Sequence, residues 1–452
     1  MTESALNALR ETLGDAVSTL ADDLERMRED KSGHIAASRP LALVTARSVE
    51  DVQATLRIAT RFGVPVVPRG AGTGLAGGAI AGAGEIVLST LAMNRILEIS
   101  AADQLAVVEP GIINGDLNAV LAEQGLWFAP DPASKAISSV GGNIATNAGG
   151  LLCAKYGVTR EAVLGLKVVL ANGDLLTLGH RSVKGVTGLD LTALMIGSEG
   201  TLGVIVEATL RLRPAVTGPV RTIGAYFPDV STAAAASAAI TAAHLQPAAM
   251  ELMDAASLVA IGAYLHLDLA QRGAAYLLVQ FDGGGSDSEA DAALGIIHAV
   301  GGDAELTDDP VEGERLLAIR RAYHPALTAM GTTLIEDVAV PRSALPEMFD
   351  AIRGIEQRRG ISIPTVAHAG DGNLHPNFVF AGDTVPEAIW DAADEVFTAA
   401  LALGGTLTGE HGVGILKRRW LRRELGDEQF ELQRRIRSAF DPQGILNPGK
   451  VF

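Results

Sequence analysis

The sequence predicts an α+β fold in two main parts. The first is strand-rich and interrupted by glycine loops; in the second, long helices pack on an antiparallel sheet. Three glycine-rich loops fall among short strand patterns between residues 68 and 203. Beyond Pro214–Pro219 the pattern changes to helical periodicity alternating with single strands, as expected where helices cover an antiparallel sheet. Length supports more than one domain, because 452 residues exceed the ~250–300 that one hydrophobic core sustains.

In chain order, Leu6, Leu9, Leu13, Val17, Leu20, Leu24 and Met27 recur every three or four residues and predict an amphipathic helix or helix pair. Pro40–Thr45 reads as a strand. Ser48, with Asp51 three residues on, marks a helix start continuing to Phe62. Val64–Pro68 is the next strand and runs into Arg69-Gly-Ala-Gly-Thr-Gly-Leu-Ala-Gly-Gly-Ala79, the densest glycine run. This run contains Gly72-x-Gly74-x-x-Gly77, formally a dinucleotide fingerprint, which ought to open a helix. Here the glycines continue through Gly82 and Gly84 into a strand pattern, Glu85–Ser89. The reading is a nest of bare backbone N–H groups around an anion, without the Rossmann helix; taken alone, the run fits an ordinary surface loop equally well.

Strands follow at Arg95–Ser100 and Leu105–Glu109, then a helix over Asp116–Gln124 ended by Gly125. Pro130–Gly150 is a second small-residue segment, expected as a long loop. Loops beyond ~12–15 residues are usually functional or disordered, and this one is too poor in charge for disorder. Leu164–Leu170 and Leu175–Leu178 predict a hairpin turning at Asn172-Gly173, and Val204–Arg211 a further strand after the glycine turn Gly197–Gly203. Three such loops suit an extended cofactor bedded on the first part. In the second part, helices are expected at Ser231–His244, Asp287–Val300 and Leu345–Arg358, and strands at Ala274–Phe281 and Leu334–Val340. A helix over Asp427–Phe440 and a Pro/Gly-punctuated tail, Asp441–Lys450, close the sequence.

Composition excludes some functions. The net charge is −17 with no Lys/Arg stripe, which argues against a nucleic-acid or anionic-membrane surface. The single cysteine, Cys153, forbids an internal disulfide and fits a reducing compartment. No apolar signal region is visible, and Ser231–His244 is too rich in Ala, Ser and Thr for a membrane span. A cytoplasmic protein is expected.

Chemistry is expected in two polar clusters. His368 and His375 lie seven residues apart around Gly370, Asp371, Gly372 and Asn373; Thr408–Gly414 carries Glu410 and His411. A His, His, carboxylate set can hold a divalent metal with positions open for substrate; hydrogen-bonded loop histidines are the plain alternative. His411 follows Glu410 and would point elsewhere on an extended backbone, as a candidate base or a solvated loop residue. On a helix over Val311–His324, Leu316, Ile319, Arg320 and Tyr323 share one stripe. Arg320 inside an apolar face calls for a partner, either a protein acid or a substrate carboxylate. His324, at the stripe's edge, could line the same pocket.

Together, Pro68–Gly74, Gly141–Gly150, Gly197–Gly203, His368–His375, Gly409–Gly414 and Asn447–Lys450 resemble the FAD-linked oxidases of the vanillyl-alcohol-oxidase type. The closest likeness is to the branch of glycolate oxidase FAD subunits, D-lactate dehydrogenases and D-2-hydroxyglutarate dehydrogenases. The resemblance implies an N-terminal helical segment (1–34), a two-part FAD-binding domain of the PCMH type (35–213), a cap of antiparallel sheet and helices (214–400), and a C-terminal segment (401–452) returning to the flavin. It implies FAD on Pro68, Arg69, Gly70, Ala71, Gly72, Thr73, Gly74, Ser138, Ser139, Gly141, Gly142, Asn143, Ala145, Thr146, Asn147, Glu199, Gly200, Gly203, Ile205 and Asn447. It further implies a divalent metal on His368, His375 and Glu410, with zinc expected and manganese or iron as alternatives. Arg320 would bind the substrate carboxylate, His324 and Asn377 would contact substrate, and His411 would act as base. Thr73 stands where many relatives carry a flavin-linking histidine, so FAD should be non-covalent. Ile335 stands about where the hydroxyglutarate enzymes carry a lysine, which favours lactate, glycolate or a more apolar 2-hydroxyacid. The implied activity is oxidation of a D-2-hydroxyacid to the 2-oxoacid, with electrons passed to an electron-transfer flavoprotein, cytochrome or quinone. A homodimer, peripheral to the membrane through that acceptor if at all, is the expected state. The rival reading is a metal-dependent hydrolase using the His, His, Glu set.

Overall fold

The computed structural model describes residues 2–382 and 384–452, and the chain forms two compact units. One comprises the described residues up to Gly149 together with Gly157–Ala215 and Glu410–Phe452; the other comprises Gly150–Tyr156 and Val216–Gly409.

The first unit holds two sheets. The strands Val17–Ser18, Ala42–Thr45, Ile86–Ser89 and Val66–Arg69 lie side by side in that order. The last three are parallel. Ser48 caps the helix Val49–Phe62 by accepting a hydrogen bond from the Asp51 amide, and Gly63 ends it at φ 62°. A cap of this kind contributes ~1 kcal/mol. The N-terminal helix Thr2–Leu13 is part of this core, not a separate piece: Ala5 and Leu9 are fully buried against Leu56, Val66 and Ile86. The second sheet is antiparallel, in the order Ile96–Ser100, Leu105–Val108, Val204–Arg211, Val163–Val169, Leu175–Gly179. Its central strand Val204–Arg211 buries alternate residues, the period-two signature of a sheet with one face on a core. The Asn172-Gly173 hairpin turn is present, with Gly173 at φ 83°.

Two expectations need correction in this unit. Between Arg69 and Ile86 the glycine run forms no helix, as anticipated, but Pro130–Gly150 is not structureless: Val140–Thr146 is a helix. Ser139 caps it through the Gly142 amide, and Asn147 terminates it in the left-handed conformation at φ 53°. Gly141 and Gly142 hid it from a propensity reading. The C-terminal helix begins at Arg418, not Asp427, because two helical runs meet at Gly426 (φ 70°, ψ 168°). The tail then returns to the first sheet. The Val66 amide donates to the Ile445 carbonyl and the Asn447 amide to the Val66 carbonyl, both at 2.8 Å.

The second unit is built on an eight-stranded antiparallel sheet, in the order Asp303–Thr307, Val220–Phe227, Ala275–Asp282, Ala249–Met253, Thr365–His368, Asn373–Phe380, Thr332–Ile335, with Val338–Ala339 also pairing with Asn373–Phe380. The strand expected over Leu334–Val340 is therefore two short ones, broken by the buried acids Glu336 and Asp337. Helices form at Val230–Ala242, Ser286–Ala299 and Leu345–Arg359. The helix expected over Val311–His324 divides into Pro310–Arg321 and Tyr323–Met330. On one sheet face Met253, Tyr276, Leu278 and Val366 pack with Leu258, Ile261, Leu316, Ile319 and Tyr323.

Asp254 ties this face together. Its carboxyl accepts from the Ser257 amide, capping the helix Ala255–Leu265, and from the Thr365 amide at 2.9 Å. Burial pushes its pKa up to about 7, against the opposing pull of these hydrogen bonds. The native state thus holds a proton that the unfolded chain releases near its ordinary carboxyl value. Stability from this group is full below that value and declines as pH rises to about 7, by on the order of a few kcal/mol. Chemical denaturation of Asp254→Asn across this range should show a flatter pH dependence than the wild type; an unchanged slope would remove Asp254 as its source.

Candidate active site

Each unit carries a set of converging polar groups. In the first unit the strand Val66–Arg69 delivers the chain into the glycine loop. Pro68 and Arg69 end the strand, and Gly70, Ala71, Gly72, Thr73 and Gly74 follow in irregular backbone. From Gly70 to Gly78 no backbone N–H donates to a protein acceptor among the described residues. Those donors suit an anion such as a pyrophosphate. Arg69 folds back over the loop, donating from Nη1 to the Ala79 carbonyl at 2.7 Å. A Cβ on Gly70 would lie 2.3 Å from Ser139 Oγ, so the loop rests directly on the start of the helix Val140–Thr146. Ser138 and Ser139 are buried there; Gly141, Gly142, Asn143, Ala145 and Thr146 are in the helix, and Asn147 caps it. Asn143 is committed within the protein, donating to Ser138 Oγ and accepting from Asn114.

The third loop carries Glu199 at φ 51° and Gly200 at φ 72°, ahead of Gly203 and of Ile205 in the strand Val204–Arg211. Glu199 does something the sequence did not suggest. Its buried carboxyl accepts from the amides of Val413 (2.7 Å) and Gly414 (2.8 Å), fixing the segment after His411. Burial raises its pKa to about 7, opposed by these bonds and by Lys417. Asn447 donates from Nδ2 to the carbonyls of Gly78 (2.9 Å) and Glu199 (2.7 Å), joining two of the loops, while its buried Oδ1 has no donor among the described residues. The open amides and this acceptor fit a flavin dinucleotide, with its phosphates and ring N–H.

In the second unit, strand register assembles the site. Cross-strand partners point to one side of a sheet, as do residues two apart. Glu251 pairs with His368, His368 with Asn373, Val366 with His375 and Ile335 with Asn377. Glu251, His368, Asn373, His375, Asn377 and Ile335 therefore share one face. His368 and His375 are 6% and 7% exposed, with rings edge-on at 5.1 Å. Donor atoms of His368, His375 and Glu410 all lie within 4.8 Å of one another. Glu410 is placed by the residues before it. Thr408 donates to Asp337 Oδ2 at 2.6 Å, and Gly409 lies so near the Asn373 amide that a Cβ would meet Nδ2 at 2.3 Å. Two nitrogens and a carboxylate oxygen at this spacing suit a divalent cation such as zinc.

His411 departs from expectation. The chain bends over residues 409–411, Gly412 lies at φ 85°, and His411 Nε2 comes to 3.9 Å from Glu410 Oε1 instead of pointing away. Arg320 is largely buried, and its Nε donates to Glu251 Oε2 at 2.7 Å; the protein acid foreseen as one alternative is thus real. Asn377 donates from Nδ2 to Tyr323 Oη (2.8 Å) and to the His375 carbonyl (2.7 Å). Its buried Oδ1 has no donor among the described residues, so the amide is held with an acceptor to spare. His324 is exposed, because the helix break after Arg321 takes it off the buried stripe. Sequence reasoning missed Glu251, Asp337 and Tyr323. A lone Glu within the apolar strand Ala249–Met253 was the available signal for the first.

Two family models match the chain. "FAD binding domain" matches residues 40–179, and "FAD linked oxidases, C-terminal domain" matches residues 218–451. The chain belongs to the FAD-linked oxidases. It is a FAD-dependent oxidoreductase, and the resemblance read from its motifs holds. Among curated relatives of this family, it is 40% identical to the glycolate oxidase subunit GlcD of Bacillus subtilis (strain 168), covering 92% of this chain and 89% of that protein. It is 35% identical to GlcD of Escherichia coli (strain K12), over 99% and 90%, and 34% identical to the D-lactate dehydrogenase of Anaerostipes hadrus, over 94% and 92%. A solved p-cresol methylhydroxylase shares the fold at a TM-score of 0.81, with 18% identity, covering 99% of this chain and 96% of that one. Membership of this FAD-linked family takes the ground from the hydrolase reading. No described helix is long and apolar enough to cross a membrane.

Gly70 offers a direct check on the cradle. In Gly70→Ala the new methyl must displace Ser139 Oγ and with it a helix cap worth ~1 kcal/mol. Purified Gly70→Ala protein should show a reduced flavin-to-protein absorbance ratio and a melting temperature lower by a few degrees. Wild-type values for both would mean that the close approach is not required.

Proposed function

We propose that this enzyme oxidises a small D-2-hydroxyacid to the 2-oxoacid, with assistance from a divalent metal on His368, His375 and Glu410. The observation that carries this reading is the approach of those three donors within 4.8 Å of one another, in a member of a FAD-linked oxidase family. The names of the relatives, glycolate oxidase and D-lactate dehydrogenase, supply the substrate class. When bound, FAD supplies a two-electron acceptor for the C2 hydride, and a divalent ion supplies Lewis acidity toward the 2-hydroxyl.

The protein's own groups do the rest. Arg320 receives the substrate carboxylate on its terminal Nη edge, because its Nε is held by Glu251. Asn377, held through its Nδ2 by Tyr323, contacts the substrate and leaves the single proton of the 2-hydroxyl to His411. His411 accepts the hydroxyl proton at an imidazole nitrogen while the hydride leaves C2, so substrate loses one proton and one hydride. Ile335, opposite Asn377, offers an apolar neighbour instead of a second cation, which suits a monocarboxylate with a short or apolar side chain. Thr73 stands in place of the flavin-linking histidine and offers no imidazole, so FAD should leave the protein on acid denaturation. Electrons then pass to a separate acceptor such as an electron-transfer flavoprotein, cytochrome or quinone.

A panel of D- and L-2-hydroxyacids with a dye acceptor tests the activity. D-lactate or D-glycerate-like acids should bleach the flavin anaerobically and their L-enantiomers should not; no bleaching by any member would overturn the reading. His411→Ala should lower kcat by roughly 10²–10⁴-fold with little change in KM. Arg320→Lys, which loses the planar fork, should mainly raise KM, and steady-state kinetics of the two variants separate base from clamp.

A further inference from the structure

Glu251 is a fully buried acid on the site's sheet face. It sits in the strand Ala249–Met253, every residue of which is buried, and its side chain is 0% exposed. A carboxylate so far from water is strongly destabilising unless its oxygens are paired. Here both are: Oε2 accepts from Arg320 Nε at 2.7 Å, and Oε1 lies 2.7 Å from His368 Nδ1. Each bond has a directional consequence. Contact through Nε leaves the outer Nη1 and Nη2 edge of the guanidinium without a hydrogen bond among the described residues, and that edge can grip a carboxylate end-on through two N–H groups. A carboxylate facing Nδ1 can only accept, so the imidazole proton resides on Nδ1 and the lone pair on Nε2, where a metal would be bound.

We propose that Glu251 is a positioning residue whose one planar carboxylate orients both the substrate-binding arginine and a metal-ligating histidine. The proposal rests on the reading of Arg320 and His368 given above. Because the two partners use the two oxygens of one rigid group, turning the carboxylate to suit one would break the other. Register reinforces this: Glu251 is the direct cross-strand partner of His368, while Arg320 reaches it from the helix Pro310–Arg321 on the same face. Glutamine at this position keeps the volume but presents one acceptor and one donor, so it cannot serve both N–H groups. Aspartate keeps the charge but is one methylene short.

The test uses the FAD-loaded enzyme and two binding measurements: Zn²⁺ affinity by competition with a chromogenic chelator, and pyruvate affinity by calorimetry on Zn²⁺-loaded protein. Glu251→Gln should weaken Zn²⁺ binding by roughly 10–100-fold, the usual effect of losing a ligand's hydrogen-bond partner. Glu251→Asp should weaken Zn²⁺ and pyruvate binding together, each by about tenfold or more. Arg320→Gln, which leaves the Glu251–His368 bond in place, should weaken pyruvate alone. A merely structural Glu251 would lower the melting temperature of its variants and leave both affinities of the folded protein alone. The proposal is overturned if Glu251→Asp keeps both affinities within threefold of wild type. If Glu251→Asp does not fold, Glu251→Gln with unaltered Zn²⁺ affinity overturns it equally. A His368→Ala control separates the two levels: wild-type Zn²⁺ affinity in that variant would refute the metal assignment itself and not the role of Glu251.

Discussion

The antiparallel pairing of Ala249–Met253 with Thr365–His368, and of that strand with Asn373–Phe380, is the constraint on which the proposed substrate site depends. Because side chains alternate with a period of two, a one-residue slip would send Glu251, His368, His375 and Asn377 to the other face. The burial of that face locks the register: Met253 and Val366 lie in the same apolar cluster as Leu316, Ile319 and Tyr323, so a slip would also expose core. Packing that stabilises the sheet is therefore the same packing that aligns the donors.

A second layer of buried acids supports the first. Glu251 holds Arg320 and His368. Asp337 accepts from Asn373 and Thr408 and so governs where the chain leaves toward Glu410. Glu199 receives the amides just past His411. Each sits where desolvation would be costly without these partners, and each controls the placement of a residue assigned to chemistry. Their common character is that of a rigid frame under a site whose working groups need fixed orientation.

Much of this was legible in the sequence. The strand and helix order, the hairpin at Asn172-Gly173 and the helix start at Ser48 follow from local patterns that the structure reproduces. The motifs also gave the family. What escaped was of two kinds. Val140–Thr146 is a helix despite Gly141 and Gly142, since its cap and its packing under Gly70 outweigh propensity. The acids Glu251 and Asp337 could not be assigned because their partners lie 117, 69 and 36 positions away, and only the sheet brings them together. The orientation of His411 depended on a bend just before Gly412 that an extended-chain reading could not supply.

The tail's hydrogen bonds also bear on how the protein is made. Asn447 joins carbonyls 369 and 248 positions earlier in the chain, and Val66 bonds to Ile445 and Asn447. During translation, which proceeds from the N-terminus at ~5–20 residues per second, the second unit's strands and helices up to Gly409 emerge before these contacts can form. The glycine loop thus spends tens of seconds with the tail segment still in or behind the ribosome. In the nascent chain Gly78, Glu199 and Val66 are therefore without their bonds to Ile445 and Asn447 until synthesis is almost finished.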